Sequence, residues 1–152
     1  MKSLSSLVIE LDNKTPFLTQ KNIAVSQASV GWHLEHSLLA LIKMITAVEH
    51  SNPAEYKKEF NFKRSLVLLM GKIPRGKARV PDSVRPGENT DIATINALVE
   101  KAKQKAELFE KLEKAKFFKH PVFADLRLAQ ARKIIAIHTI HHLRIIEDII
   151  KG

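Results

Sequence analysis

The chain has 152 residues, with 25 Lys plus Arg against 16 Asp plus Glu and no cysteine, a length that suits one domain over 1–152 and a formal charge of +9. At 45% hydrophobic and 27% charged residues it has the composition of a folded globular chain, not of a disordered one. Without cysteine there is no disulfide, no thiolate ligand and no cysteine nucleophile, so any metal must be held by nitrogen or oxygen.

Unbroken apolar runs are short, as at Leu66–Met70, far below the roughly 20 residues that cross a bilayer. Glu10 and Asp12 interrupt the apolar stretch after Lys2, so the start does not read as a cleaved secretory signal. A cytoplasmic location without membrane association is the expectation.

In chain order, a short helix is expected from about Ser3 to Lys14, limited by Pro16. Leu34, Leu38, Leu41, Ile45 and Val48 then recur at helical period in a helix from about Ser29 to His50, with Ser26 or Ser29 as its cap and Pro53 beyond its end. A long connection comes next. In it, Ser65 to Ile73 has the spacing of two helical turns, whereas Gly71, Pro74, Gly76, Pro81, Pro86 and Gly87 break anything longer. From Lys57 to Arg85, nine Lys or Arg stand against Glu59 and Asp82, which places +7 of the chain's +9 in this stretch.

The clearest helix runs from about Thr90 to Lys116, where Ile92, Ile95, Leu98, Val99, Ala102, Ala106, Phe109 and Leu112 recur three or four apart, with Thr90 and Asp91 as caps. The last runs from about Arg127 to Ile150, with Ala131, Ile135, His138, His142, Ile146 and Ile149 on its core face. No stretch alternates apolar and polar residues for long enough to make a strand. The expected class is all-α, an antiparallel four-helix bundle with a short extra helix and a basic loop between the second and third long helices.

Seven histidines are present. His138 and His142 are four apart on a helix, so their side chains lie about 40° apart in projection and roughly 6 Å apart along the axis, close enough to share one ion. They also lie in the apolar stripe, where an imidazole needs a partner. Hydrogen-bonded core histidines make the same pattern more often, and a third ligand from a facing helix would sharply strengthen the case for metal. In the Ser29–His50 helix, His33 projects about 100° from the apolar centre and His36 falls on the far side near Lys43, which makes His33 the inward candidate. Three neutral imidazoles would leave open coordination positions, as catalytic sites do, and would suit zinc or nickel, with iron and copper also compatible. His141 turns about 100° from His142, toward an outer position. His50 ends its helix, where its charge suits the dipole, and His120 before Pro121 reads as a turn contact.

Three segments together resemble the DinB-like superfamily of four-helix bundles, which includes metal-dependent transferases that use bacillithiol or mycothiol. Gly31-Trp32-His33-Leu34-Glu35-His36-Ser37-Leu38 is similar to the family's second-helix motif, His120-Pro121-Val122-Phe123-Ala124-Asp125-Leu126 to the loop before its last helix, and His138-Thr139-Ile140-His141-His142-Leu143 to its paired-histidine motif. The resemblance spans about Ser26 to Lys151 and implies His33, His138 and His142 as ligands of a divalent metal. Ala124 departs from it where a glycine is common, and Ile145 where a glutamine is often found.

A divalent ion in such a site would polarise an electrophile or lower the pKa of a water or thiol. Glu35, Glu147 and Asp148 project away from the proposed ligands, which leaves hydrolysis without an evident general base and slightly favours a metal-dependent thiol transferase, with a hydrolase close behind. The resemblance implies a low-molecular-weight thiol beside a small-molecule substrate. Arg75, Lys77 and Arg79, with Lys72 and Arg85, would rim the open end and attract an anionic cosubstrate, unless they simply form a solvated loop. The charge also predicts weak nonspecific nucleic-acid binding, but no motif for specific recognition is present. The competing class is a non-catalytic helical bundle acting as an interaction or structural protein. Its helices could pair subunits into a homodimer, although the sequence defines no interface.

Overall fold

A computed structural model of the protein describes residues 2–76, 80–87 and 90–152. Helix α1 (Leu4–Asp12) starts where Ser3 Oγ accepts the Ser6 N–H and buries Leu4, Leu7, Val8 and Leu11, an i, i+3, i+4, i+7 stripe. A 3-10 turn (Thr15–Phe17) leads toward α2 (Val30–Glu49), which Ser29 caps through the Trp32 N–H. Gly31 lets the two segments touch, for its N–H donates to Leu18 O at 2.9 Å and a Cβ there would meet that same oxygen at 3.0 Å.

Helix α3 (Phe62–Met70) is capped by Asn61 and ended by Gly71, whose φ of +62° is the left-handed geometry of a helix terminus. Its apolar residues are divided between two sides, with Val67 and Leu68 partly buried against the core. Phe62, Leu66 and Leu69 share its outer side in solvent, while the partly buried Arg64 reaches inward and donates to the carbonyls of Glu59, Phe123 and Asp125. Helix α4 (Ile92–Phe109) is capped by Asp91 and buries Ile95, Val99, Ala102, Ala106 and Phe109.

The helix expected to reach Lys116 stops at Phe109, and the Lys116 ammonium donates to Glu49 O and Ser51 O, closing the carbonyl end of α2. The structure is mostly helical, roughly as expected, and the segment beyond α4 adds a small two-stranded sheet where no strand was expected. Strands β1 (Phe117–His120) and β2 (Ala124–Arg127) form an antiparallel hairpin that pairs Phe118 with Leu126 and His120 with Ala124. Four residues per strand are too few to display an alternating pattern, and burial of Phe117, Phe118 and Leu126 holds the hairpin in place. Ala124 carries φ +57°, the region that glycine enters without strain.

Helix α5 (Leu128–Lys151) begins directly after β2, where Gln130 Oε1 accepts the Arg127 N–H. Helices α1 and α2 each contact both α4 and α5 around one apolar core, to which the hairpin adds Phe118 and Leu126. Among the described residues no helix is long and apolar enough to cross a membrane.

Candidate metal centre

Helices α2 and α5 meet along a line of imidazoles. The donor atoms of His36, His138 and His142 lie within 4.8 Å of one another, a spacing at which they could hold a metal ion. Ring centroids are 4.6 Å apart for His36 and His142, 4.7 Å for His138 and His142, and 5.2 Å for His36 and His138.

His36, placed by periodicity on the far side of its helix, is instead 3% exposed. Helix α2 is buried nearly all round, between α4, α5 and the 3-10 turn Asp82–Val84, so a single apolar stripe does not define its inward side. The His36 ring stacks on Trp32, with centroids 5.2 Å apart, and its Nδ1 lies 2.8 Å from Val84 O. A carbonyl oxygen only accepts, so Nδ1 carries the proton and Nε2 keeps its lone pair. Metal ligands are oriented by this type of outer contact.

His33 is also buried and lies beside the cluster. Its Nδ1 is 3.0 Å from His142 Nδ1, and its Nε2 is 2.9 Å from Ser26 Oγ, which in turn accepts the Ala28 N–H. One of the two Nδ1 atoms must carry a proton for them to bond. If it is that of His142, His33 passes its own Nε2–H to Ser26 and His142 Nε2 is left bare. Ser26 is thereby recruited to the cluster, while Ser29 caps the helix.

His138 is partly exposed as a residue, but its Nδ1 is sealed from solvent and has no hydrogen-bond partner among the described residues. A buried polar atom without a partner is costly, and a metal lone-pair acceptor satisfies it. Burial, with His36 next, holds the His138 pKa down to about 3, and burial, again with His36 next, lowers that of His33 to about 4. His36 and His142 are lowered by burial as well, so the cluster is neutral at pH 7, the form that binds metal.

His120 closes the hairpin turn: its Nδ1 accepts the N–H groups of Val122 and Phe123, its ring stacks on Phe123, and burial lowers its pKa to about 4. His50 donates from Nδ1 to Thr46 O at the end of α2. The carboxylates are engaged elsewhere. Glu35 accepts the Thr90 hydroxyl at 2.6 Å, Asp148 pairs with Arg75 at 2.7 Å, and Glu147 faces Lys14 at 3.8 Å. Of the basic rim, Arg75 is exposed and held by that ion pair, while Lys77 and Arg79 lie outside the described residues.

No family model, curated protein or solved structure matches the chain.

Proposed function

We propose that the protein is a metal-dependent enzyme of the DinB-like kind, an antiparallel four-helix bundle that holds one divalent ion, zinc or nickel, through His36, His138 and His142. The convergence of their donor atoms within 4.8 Å carries this reading. It is supported by the His36 tautomer fixed at Val84 O and by the unpartnered Nδ1 of His138. In this arrangement His33 is a positioning residue, which accepts the Nδ1–H of His142 and is anchored by Ser26.

A second arrangement places His33 in the ligand set with His138 and His142, as the sequence resemblance implies. Its support is the 3.0 Å between the Nδ1 atoms of His33 and His142, close to the ~3.3 Å expected of two nitrogens on one tetrahedral zinc.

A divalent ion there would polarise an electrophile or lower the pKa of a small thiol. Glu35 and Asp148 are tied to Thr90 and Arg75, so neither is poised to take a proton from water, which favours thiol transfer over hydrolysis. Because the chain has no cysteine, the thiol belongs to a low-molecular-weight cosubstrate.

Metal content by mass spectrometry on tag-free protein purified without chelator tests the reading. About one equivalent is expected in the parent, lost in His36→Ala and His138→Ala, with His33→Ala keeping the stoichiometry at roughly ten- to hundredfold weaker affinity. Loss in His33→Ala with retention in His36→Ala would select the second arrangement. No metal in the parent, and no thermal shift on adding zinc or nickel, would refute both and leave a non-catalytic interaction protein.

A further inference from the structure

Helix α5 serves two faces in adjacent registers. His138 and His142 point to the imidazole cluster, whereas Ile137, His141 and Arg144, at i, i+4 and i+7, line a separate pocket of about 200 Å3. Its opposite wall is the segment after α3: Gly71, Lys72, Ile73 and Arg75. Two cations from that segment and one from α5 therefore face a common space, and no carboxylate lines it among the described residues. Among the described residues, the acid that touches this group is Asp148, one turn beyond Arg144, which binds Arg75 Nη2 at 2.7 Å and so braces the guanidinium, whose other N–H donors have no partner there.

The pocket adjoins the imidazole cluster through consecutive residues, with the His141 ring edge-on to His142 at 5.1 Å between centroids. Ile137 and Ile73 give it apolar walls beside the exposed heads of Lys72, Arg75 and Arg144.

We infer that this pocket binds the oxyanion end, phosphate or carboxylate, of a small-molecule substrate or cosubstrate, through Lys72, Arg75 and Arg144. Three cations with one braced acid leave a surplus of positive charge that an oxyanion neutralises, and the Arg75 and Arg144 forks match its geometry. The inference deepens the reading above and rests on it only for the purpose of the bound molecule, since the oxyanion contacts need no metal.

Titration calorimetry with inorganic phosphate, on the full chain as purified and again after chelator treatment, is the test. The expected result is saturable binding in both preparations, weakened at least tenfold by Arg144→Gln and by Lys72→Gln and unchanged by Lys101→Gln, an exposed lysine outside the pocket. Both substitutions replace exposed side chains, and an unchanged melting temperature confirms that the variants fold. Malonate in place of phosphate distinguishes the sources: tighter phosphate indicates a phosphate ester, and tighter malonate a carboxylated molecule. Binding that is equal in parent and variants, binding that requires the metal and ignores Arg144 and Lys72, or no saturation by about 50 mM phosphate would each overturn the inference.

Discussion

Acidification from pH 8 to pH 5 should destabilise this protein far more than its carboxylates allow. His33 and His138 are held neutral by burial, with folded pKa values of about 4 and about 3 against 6.5 in the unfolded chain. Below pH 6.5 the unfolded chain therefore binds protons that the folded chain refuses, so stability is fully present above that value and is lost as pH falls toward the folded pKa. Between pH 8 and pH 5 the loss is about 2 kcal/mol for each of the two, and about as much again for His120. Glu49 and Asp91, both held below the usual carboxylate value by hydrogen bonds, to Lys105 and Thr94 respectively, stay ionised throughout this window. The two cluster histidines alone thus account for about 4 kcal/mol, a large part of a domain's usual 5–15. With His120 the loss is about 6 kcal/mol, which urea unfolding at the two pH values reads as a midpoint lower by about 3 M at pH 5, for a slope near 2 kcal/mol/M. With both proteins metal-free, His138→Leu, which removes a buried Nδ1 without a partner among the described residues, should retain stability at pH 8 and reduce the pH effect by about 2 kcal/mol. Equal midpoints for the parent at pH 8 and pH 5 would refute the picture of a desolvated neutral cluster.

Two further outcomes concern the frame around the site. Ala124→Gly relieves a left-handed residue worth about 1–2 kcal/mol of strain and adds about 0.4–1 kcal/mol of unfolded-state entropy, so a net gain of about 0.5–1 kcal/mol is expected in urea midpoints. Arg64→Leu removes the donor that ties α3 to three backbone carbonyls and should cost about 2 kcal/mol locally, read as faster hydrogen exchange of the Phe62–Met70 amides with the α5 amides unchanged.

Helices α2 and α5 are legible in the sequence because capping and period coincide: Ser29 and the leucines after it define one, and the Ala131–Ile149 stripe defines the other. The His138 and His142 pairing comes from helix geometry alone. His36 is not legible, because projection assumes a helix with one wet side and α2 has almost none. What orients its ring is Val84 O, from a turn 48 positions away, and no local pattern announces that partner. The hairpin is hidden for a related reason, since its strands are set by tertiary burial and by the His120 turn more than by their own alternation. Ala124 is visible as a departure from a glycine, and its φ of +57° shows what that departure concerns.

The bond between His33 and His142 joins positions 109 apart in the chain. At a synthesis rate of about 5–20 residues per second, the α2 half of the imidazole cluster waits roughly 5–20 s for its α5 half to be made. Closing so distant a pair is the slow kind of contact, because loop-closure entropy is lost before the contact is gained. During that interval α2 offers an ion only His36, with His33 three residues before it on the same helix, one imidazole of a site that needs three. On the proposed reading, selection of the metal is a property of the finished cluster, timed by the completion of α5.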